Sequence, residues 1–197
     1  MLNVVRHTKQ HQILNKIETN MVFKVAQDNE NVVAPPDQVF NKPDFDFLIT
    51  IGGGIIEDES QYKKLINLLK TFGETEFYIL ENIGATLTDR FVPFQATIPI
   101  DLNVDEFEEI FTSFDPPFGW MINHFFVFGK NDNWGIYICE HPTINIIGCN
   151  KEFSKEFRNV FSIKDNGYKE LEDFIDQEFH SNIDMKKQFI KEYRLGH

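Results

Sequence analysis

The chain has 197 residues, 21 of them phenylalanine, and a formal net charge of −12. This length predicts one domain over residues 1–197, with a core that needs no disulfides. So acidic a chain disfavours direct binding to nucleic acid or to anionic membranes. No apolar run of about 18 residues predicts a membrane-spanning helix. The first residues lack the apolar core of a signal peptide, so we expect a cytoplasmic protein.

The first 44 residues predict a helix and then an irregular connection. Apolar residues recur at helical spacing over 8–19. His7 and His11 are four residues apart there, but no third ligand accompanies them. We therefore predict a surface pair and no metal site. Residues 27–44 contain three prolines and predict an irregular connection.

A strand at 45–51 leads directly into three glycines at 52–54. A glycine run between a strand and a helix is typical of phosphate-binding loops, but no complete motif is present. The acidic residues at 57–59 also occupy the helix start, where a phosphate would bind. We predict a turn or bulge. Asp58 or Ser60 is expected to cap the next helix.

The stretch from 76 to 117 predicts two strands and a short helix. Residues 76–83 form the first strand, and the strand–helix–strand pattern would fit a parallel crossover. Residues 86–100 contain prolines at 93 and 99, which favours an edge strand or an extended arm. The sequence NVDE at 103–106 is a capping-box signature, and the helix it begins ends at the Asp-Pro-Pro of 115–117.

Residues 120–149 give the clearest structural signal, a meander of three short strands. Apolar runs at 124–129, 134–140 and 143–149 are separated by the polar loop 130–133 and by His-Pro. The last two strands are apolar at both odd and even positions, which indicates cover on both faces. We therefore expect this meander in the middle of the molecule.

Cys139 and Cys149 lie in the last two strands of that meander. In a tight antiparallel hairpin, Cys139 faces about residue 144 and Cys149 faces about residue 134. Such a separation exceeds the roughly 4.4–6.8 Å between the Cα atoms of a disulfide. We expect two buried free thiols.

The chain after the meander predicts three helices, the first capped by Asn150 and the last by Ser181 or Asn182. The expected fold class is α+β. It is a single domain with a mixed or antiparallel sheet built around the β-meander of the C-terminal half, with helices packed against it and at both chain ends.

The sequence contains no complete catalytic or metal-binding motif. A nucleophile elbow is absent, both cysteines fall inside apolar strands, and the six histidines are scattered. We predict no catalytic residue, no metal ligand and no cofactor.

One long span of the chain is acidic and free of cations. No Lys or Arg occurs between Arg90 and Lys130, whereas six carboxylates do. Phe118 and Trp120 lie in the same span. Aromatic residues beside charge are typical of protein-binding surfaces, although these two rings could instead fill the core beneath the meander. We predict a partner-binding surface formed by Asp105, Glu106, Glu108, Glu109, Asp115, Phe118 and Trp120.

Residues 125–139, FFVFGKNDNWGIYIC, form a strand–turn–strand with a Trp-Gly pair. Together with the acidity, this segment resembles small bacterial immunity proteins of polymorphic toxin systems, including the SUKH group. The resemblance implies a cytoplasmic protein that binds and blocks a toxin, often a basic nuclease. It implies no particular site residues.

These observations favour a non-enzymatic acidic protein-binding module with a basic protein, such as a toxin, as its partner. One alternative is a hydrolase with a carboxylate site between Gly52 and Glu59. Another is a structural or scaffold subunit, which would show an exposed apolar patch or an obligate dimer.

Overall fold

One six-stranded antiparallel sheet organises the described part of the chain. The computed structural model describes residues 21–24, 33–52, 54–56, 58–82, 95–112, 124–139, 142–164 and 169–195, with the side chains of 108 and 110–112 left out. The strands are β1 (Asp46–Ile51), β2 (Glu76–Glu81), β3 (Gln95–Pro99), β4 (Phe125–Gly129), β5 (Trp134–Cys139) and β6 (Ile144–Cys149). The helices are α1 (Glu59–Thr71), α2 (Val104–Thr112), α3 (Lys151–Phe161), α4 (Lys169–Glu178) and α5 (Ile183–Glu192). The predicted α+β class is confirmed, and the sheet is antiparallel.

The strand order is β1-β6-β5-β4-β2-β3. Four antiparallel pairings separate β1 from β2, so these two strands point in the same direction with three others between them. The connection through α1 is therefore a wide parallel crossover, and the later meander fills the gap that it spans.

β3 is an edge strand, as its prolines predict. Ile100 donates its N–H to the Thr75 carbonyl at 3.0 Å, beyond the end of the β2–β3 ladder. Because hydrogen-bonded positions alternate in an antiparallel ladder, the nitrogen of Pro99 faces away from β2. The missing N–H of Pro99 therefore costs the sheet no hydrogen bond.

The meander β4–β5–β6 lies at the centre of the sheet, and every residue of its three strands is buried. Its register pairs Trp134 with Cys149 and Cys139 with Ile144. Both cysteines are free and buried, in agreement with the sequence prediction.

Helices α1, α2 and α3 cover one face of the sheet. Asp58 caps α1 by accepting a hydrogen bond from the Gln61 N–H at 2.9 Å, and Asn150 caps α3 in the same way through the Phe153 N–H at 3.0 Å. Helices α1 and α3 are amphipathic, and the side chains with which they contact the sheet are apolar. Those of α1 and α3 are Tyr62, Leu65, Ile66, Leu68, Leu69, Phe153 and Phe157.

Helices α4 and α5 cover the other face together with residues 33–45, which we call the strap. Asn182 caps α5, as predicted. The core on this face is rich in rings, including Phe23, Phe40, Phe126, Phe128, Phe189 and Tyr193. The meander therefore has cover on both faces, as its composition predicts.

Hydrogen bonds join the strap to the end of α5, some accepted by backbone carbonyls of the strap and one donated by the Gln38 side chain. The Tyr193 hydroxyl donates to the Asp37 carbonyl at 2.6 Å, and the Gln38 amide donates to the Glu192 carbonyl at 2.7 Å. The Arg194 guanidinium donates to the Phe45 carbonyl at 3.2 Å. These contacts replace the regular ladder that a proline-rich segment cannot form.

Several expectations concern residues outside the described ranges. They include the first helix at 8–19, His7 and His11. No helix within the described ranges combines the length and the apolar character needed to cross a membrane.

We predict that Gly148→Ala destabilises the fold by about 1–3 kcal/mol through overpacking. A methyl group at Gly148 would lie 2.7 Å from two ring carbons of Phe40. In a Phe40→Leu background the same substitution should cost less, because the shorter side chain gives way. Urea unfolding of the unchanged chain, the two single variants and the double variant measures this difference, and equal costs in both backgrounds would contradict the steric explanation.

Candidate functional site

Helix α2 carries the described part of the predicted binding surface. Asp105, Glu106 and Glu109 are exposed. The helix has no basic residue in its last turn, and Asp105 and Glu106 lie in its first turn. Glu108 belongs to the same helix, but its side chain is not among those described, and Asp115, Phe118 and Trp120 lie outside the described residues.

Glu106 has a structural role in addition to its charge. Its backbone N–H donates to the Asn103 side chain at 2.9 Å, and its carboxylate accepts from the Asn103 N–H at 3.3 Å. This reciprocal pair is the predicted capping box, and it fixes the first turn of α2. A substitution of Glu106 therefore changes helix stability as well as surface charge.

Phe107 packs α2 against α1. Its ring is buried and stacks on the Tyr62 ring, with centroids 4.3 Å apart. The Tyr62 hydroxyl donates to the Leu102 carbonyl at 3.4 Å, just before the helix. Burial, assisted by the negative charge of Glu106, raises the pKa of Tyr62 above its ordinary value of 10.0. The acidic residues thus lie on a helix whose position is fixed by a buried aromatic pair.

The negative potential of α2 extends to α1. A hydrogen bond from Lys63 to Glu59 raises the pKa of Lys63, and the charges of Glu59 and then Asp105 add to this rise. Lys63 and Glu59 form an exposed ion pair one helical turn apart. Exposed pairs of this kind contribute little to stability.

The glycine turn after β1 is anchored to the sheet. Gly52 and Gly54 have φ of 88° and 103°, a region that favours glycine. The Asn145 amide donates to the Gly52 carbonyl at 2.8 Å and to the Thr50 hydroxyl at 3.0 Å. Its Oδ1 is buried, with no hydrogen-bond partner among the described residues. This geometry agrees with the predicted turn.

The two described carboxylates that follow this turn make local contacts. Asp58 caps α1, and Glu59 pairs with Lys63. Both side chains are exposed. A hydrolytic site between Gly52 and Glu59 therefore stays a prediction that these contacts do not support.

A polar cluster around the buried Tyr137 of β5 joins the end of β2 and the start of β4 to the strap. The Asn82 amide donates to the Tyr137 hydroxyl at 3.2 Å and to the Val33 carbonyl at 3.1 Å. The same hydroxyl lies 3.1 Å from His124 Nδ1. Burial raises the pKa of Tyr137, the nearby Cys139 adds to the rise, and the Asn82 hydrogen bond opposes it. The phenol therefore stays neutral and serves as a hydrogen-bonding centre.

A second acidic surface, on α4, is absent from the sequence prediction. This helix, KELEDFIDQE, carries five carboxylates and one lysine. Beside it lies a groove of about 280 Å³ between α4 and α5. The acidic run was readable in the sequence, but the groove depends on how the two helices pack. Its lining is Leu171, Glu172, Ile175, Asp176, Lys186, Ile190 and Leu195.

No protein-family model, curated protein or solved structure matches this chain. Within the described ranges, no three His, Cys, Asp or Glu side chains lie close enough together to hold a metal ion. The interpretation of both acidic surfaces therefore depends on their own geometry and charge.

We predict that neither cysteine reacts with Ellman's reagent in the native state. Burial raises the pKa of Cys149, with a contribution from the charge of Asp46 that Arg158 opposes. The thiolate is the reactive species, so a buried neutral thiol is inert. Two thiols should appear only after unfolding in urea. Rapid reaction of either thiol without urea would contradict this burial.

Alkaline pH should destabilise the fold. Cys149, Tyr137 and Tyr193 all have pKa values raised by burial, above ordinary values of 9.0 for the thiol and 10.0 for the phenols. Their stabilisation is complete below about pH 9 and falls as pH rises, because the unfolded chain then releases protons that the folded chain keeps.

We expect a loss of about 1.4 kcal/mol per pH unit for each such group above its ordinary pKa. Urea unfolding between pH 8 and pH 11 measures the slope. The slope should be shallower for Tyr137→Phe by the share of one group. An equal slope in that variant would show that Tyr137 takes no part.

Proposed function

We propose that the chain is a non-enzymatic binding module whose α2 surface binds a basic protein. The observation that carries this proposal is the set of exposed carboxylates Asp105, Glu106 and Glu109 on one short helix. The formal net charge of −12 supports it, because a negative field speeds the approach of a basic partner.

The fixed position of α2 is suited to binding. The capping box and the buried Phe107 hold the helix in place before any partner arrives. A preorganised surface loses less conformational entropy on binding than a mobile one. Asp115, Phe118 and Trp120 follow α2 in the chain. In the proposal, Asp115 adds to the negative charge, and Phe118 and Trp120 supply the apolar anchor beside it.

The resemblance of residues 125–139 to bacterial immunity proteins specifies the kind of partner in this proposal. The basic partner is then a toxin, and binding blocks its activity. A toxin gene next to the gene for this chain would support it.

The double variant Asp105→Lys/Glu109→Lys tests the proposal. It reverses two exposed charges and leaves Glu106 to close the capping box. Each protein is immobilised and exposed to a lysate of the native host, and captured proteins are identified by mass spectrometry. We expect a basic protein that the unchanged chain retains and the variant loses. With that partner purified, affinity should fall at least about tenfold, and its salt dependence should flatten.

The matched control is Asp44→Lys/Glu178→Lys, which makes the same change in net charge at two other exposed positions. It should retain the partner. If both double variants lose it equally, the effect is one of net charge, and the α2 surface is not the site. Capture of the same proteins by all three chains would also overturn the proposal.

A further inference from the structure

The groove between α4 and α5 has an apolar floor. Leu171, Ile175 and Leu195 are buried beneath it, and Ile190 on α5 is half-buried at its side. Its volume of about 280 Å³ lies just below the range of drug-sized ligand sites, roughly 300–1,000 Å³. The size suits a large side chain better than a whole small molecule.

The apolar surface continues beyond the groove along α5. Ile183 is 66% exposed, more than any other large apolar side chain among the described residues. Ile183, Lys186 and Ile190 are spaced by three and four residues, so they share one side of the helix. An exposed apolar strip that runs into a groove is typical of a surface for another protein.

The charge at the groove is unevenly distributed. Asp176 forms an ion pair with Lys186 across the opening, whereas Glu172 lines the same opening and is exposed. Asp173 is also exposed on the outer side of α4. Elsewhere on this helix, Glu170 already pairs with Lys164 at 2.8 Å. The lining thus has a surplus of one negative charge, and α4 as a whole has a surplus of four.

We propose that this groove is a docking site for a basic protein segment that inserts one large apolar side chain between flanking Lys or Arg residues. The apolar side chain covers Leu171, Ile175 and Ile190, and the cations meet Glu172 and Asp173. Charge complementarity selects this occupant, because a second copy of the chain would bring another acidic α4 to the same surface. The site is on the opposite face of the sheet from α2 and is independent of the function proposed above.

The probe is a synthetic amphipathic Leu/Lys peptide, titrated into the full ¹⁵N-labelled chain. We expect amide shifts concentrated at Leu171, Ile175 and Ile190. A Ser/Lys peptide of equal charge should give much weaker shifts there, because it has no side chain for the floor. A Leu/Glu peptide of equal apolar content should give none, because α4 repels it.

Glu172→Lys should weaken binding of the Leu/Lys peptide about three- to tenfold. Glu178→Lys is the matched control, with the same charge change on the same helix away from the groove lining, and it should change affinity less than about twofold. Ile183→Ser removes exposed apolar surface without touching the core and should also weaken binding.

Three results would overturn the inference. Equal weakening by Glu172→Lys and Glu178→Lys would indicate general attraction to charge. Shifts confined to α2 would place the peptide on the other surface. A dimer in sedimentation that Glu172→Lys dissociates would make a second copy the occupant. The variant Asp105→Lys/Glu109→Lys should leave the groove shifts unchanged, so a failure of the α2 proposal is distinguishable from a failure here.

Discussion

The double-sided burial of β4, β5 and β6 is the constraint on which the rest of the structure depends. Every residue of these strands is buried, so neither face tolerates water. Helix α1 precedes the meander in the chain and helps to cover one face of it, because α1 connects β1 to β2 across the gap that the meander fills. Helix α3 joins that layer, and α4, α5 and the strap form the other. Glycines at 135 and 148 belong to the same constraint, because added methyl groups would collide with Val22, Phe23 and Phe40.

The layer formed by α4, α5 and the strap is cooperative because segments far apart in the chain hydrogen-bond to one another there. The strap has little regular structure, yet its backbone polar groups lie close to a ring-filled core and need partners. Residues at the end of α5 provide them, as Tyr193 and Arg194 bind carbonyls about 150 residues earlier in the chain. The Arg194 guanidinium also lies 5.3 Å from the centroid of the Phe47 ring, at the edge strand β1. Loss of the last turn of α5 would therefore expose backbone in the strap as well as apolar surface on the sheet.

The sequence predicted best those features that depend on neighbouring residues. The caps at Asp58, Asn103 and Asn150, and the pairing of Cys139 and Cys149 with residues 144 and 134, follow from local spacing, and the structure confirms each. Packing between distant segments was not predictable in this way. Composition alone gives no sign that the glycines at 135 and 148 sit under rings, or that α4 and α5 leave a groove. The acidic residues of α2 were identified as a surface because their span contains no Lys or Arg, whereas those of α4 follow Lys164 and Lys169 in the chain.

Most of the negative charge in this molecule lies at the surface, where it can serve binding without being needed for folding. Glu74, with its Trp134 hydrogen bond, is the one buried carboxylate residue among the described side chains, and the other Asp and Glu side chains that the structure describes lie at least partly in solvent. Lys63, Lys164 and Lys186 each pair with a carboxylate at the surface, where such pairs add little to stability. The remaining negative charge is therefore not required by the core. Phe107 joins α2 to one core cluster, and Leu171 and Ile175 join α4 to the other. Because the described core residues of the two helices belong to different clusters, changes on one acidic surface should add independently to changes on the other.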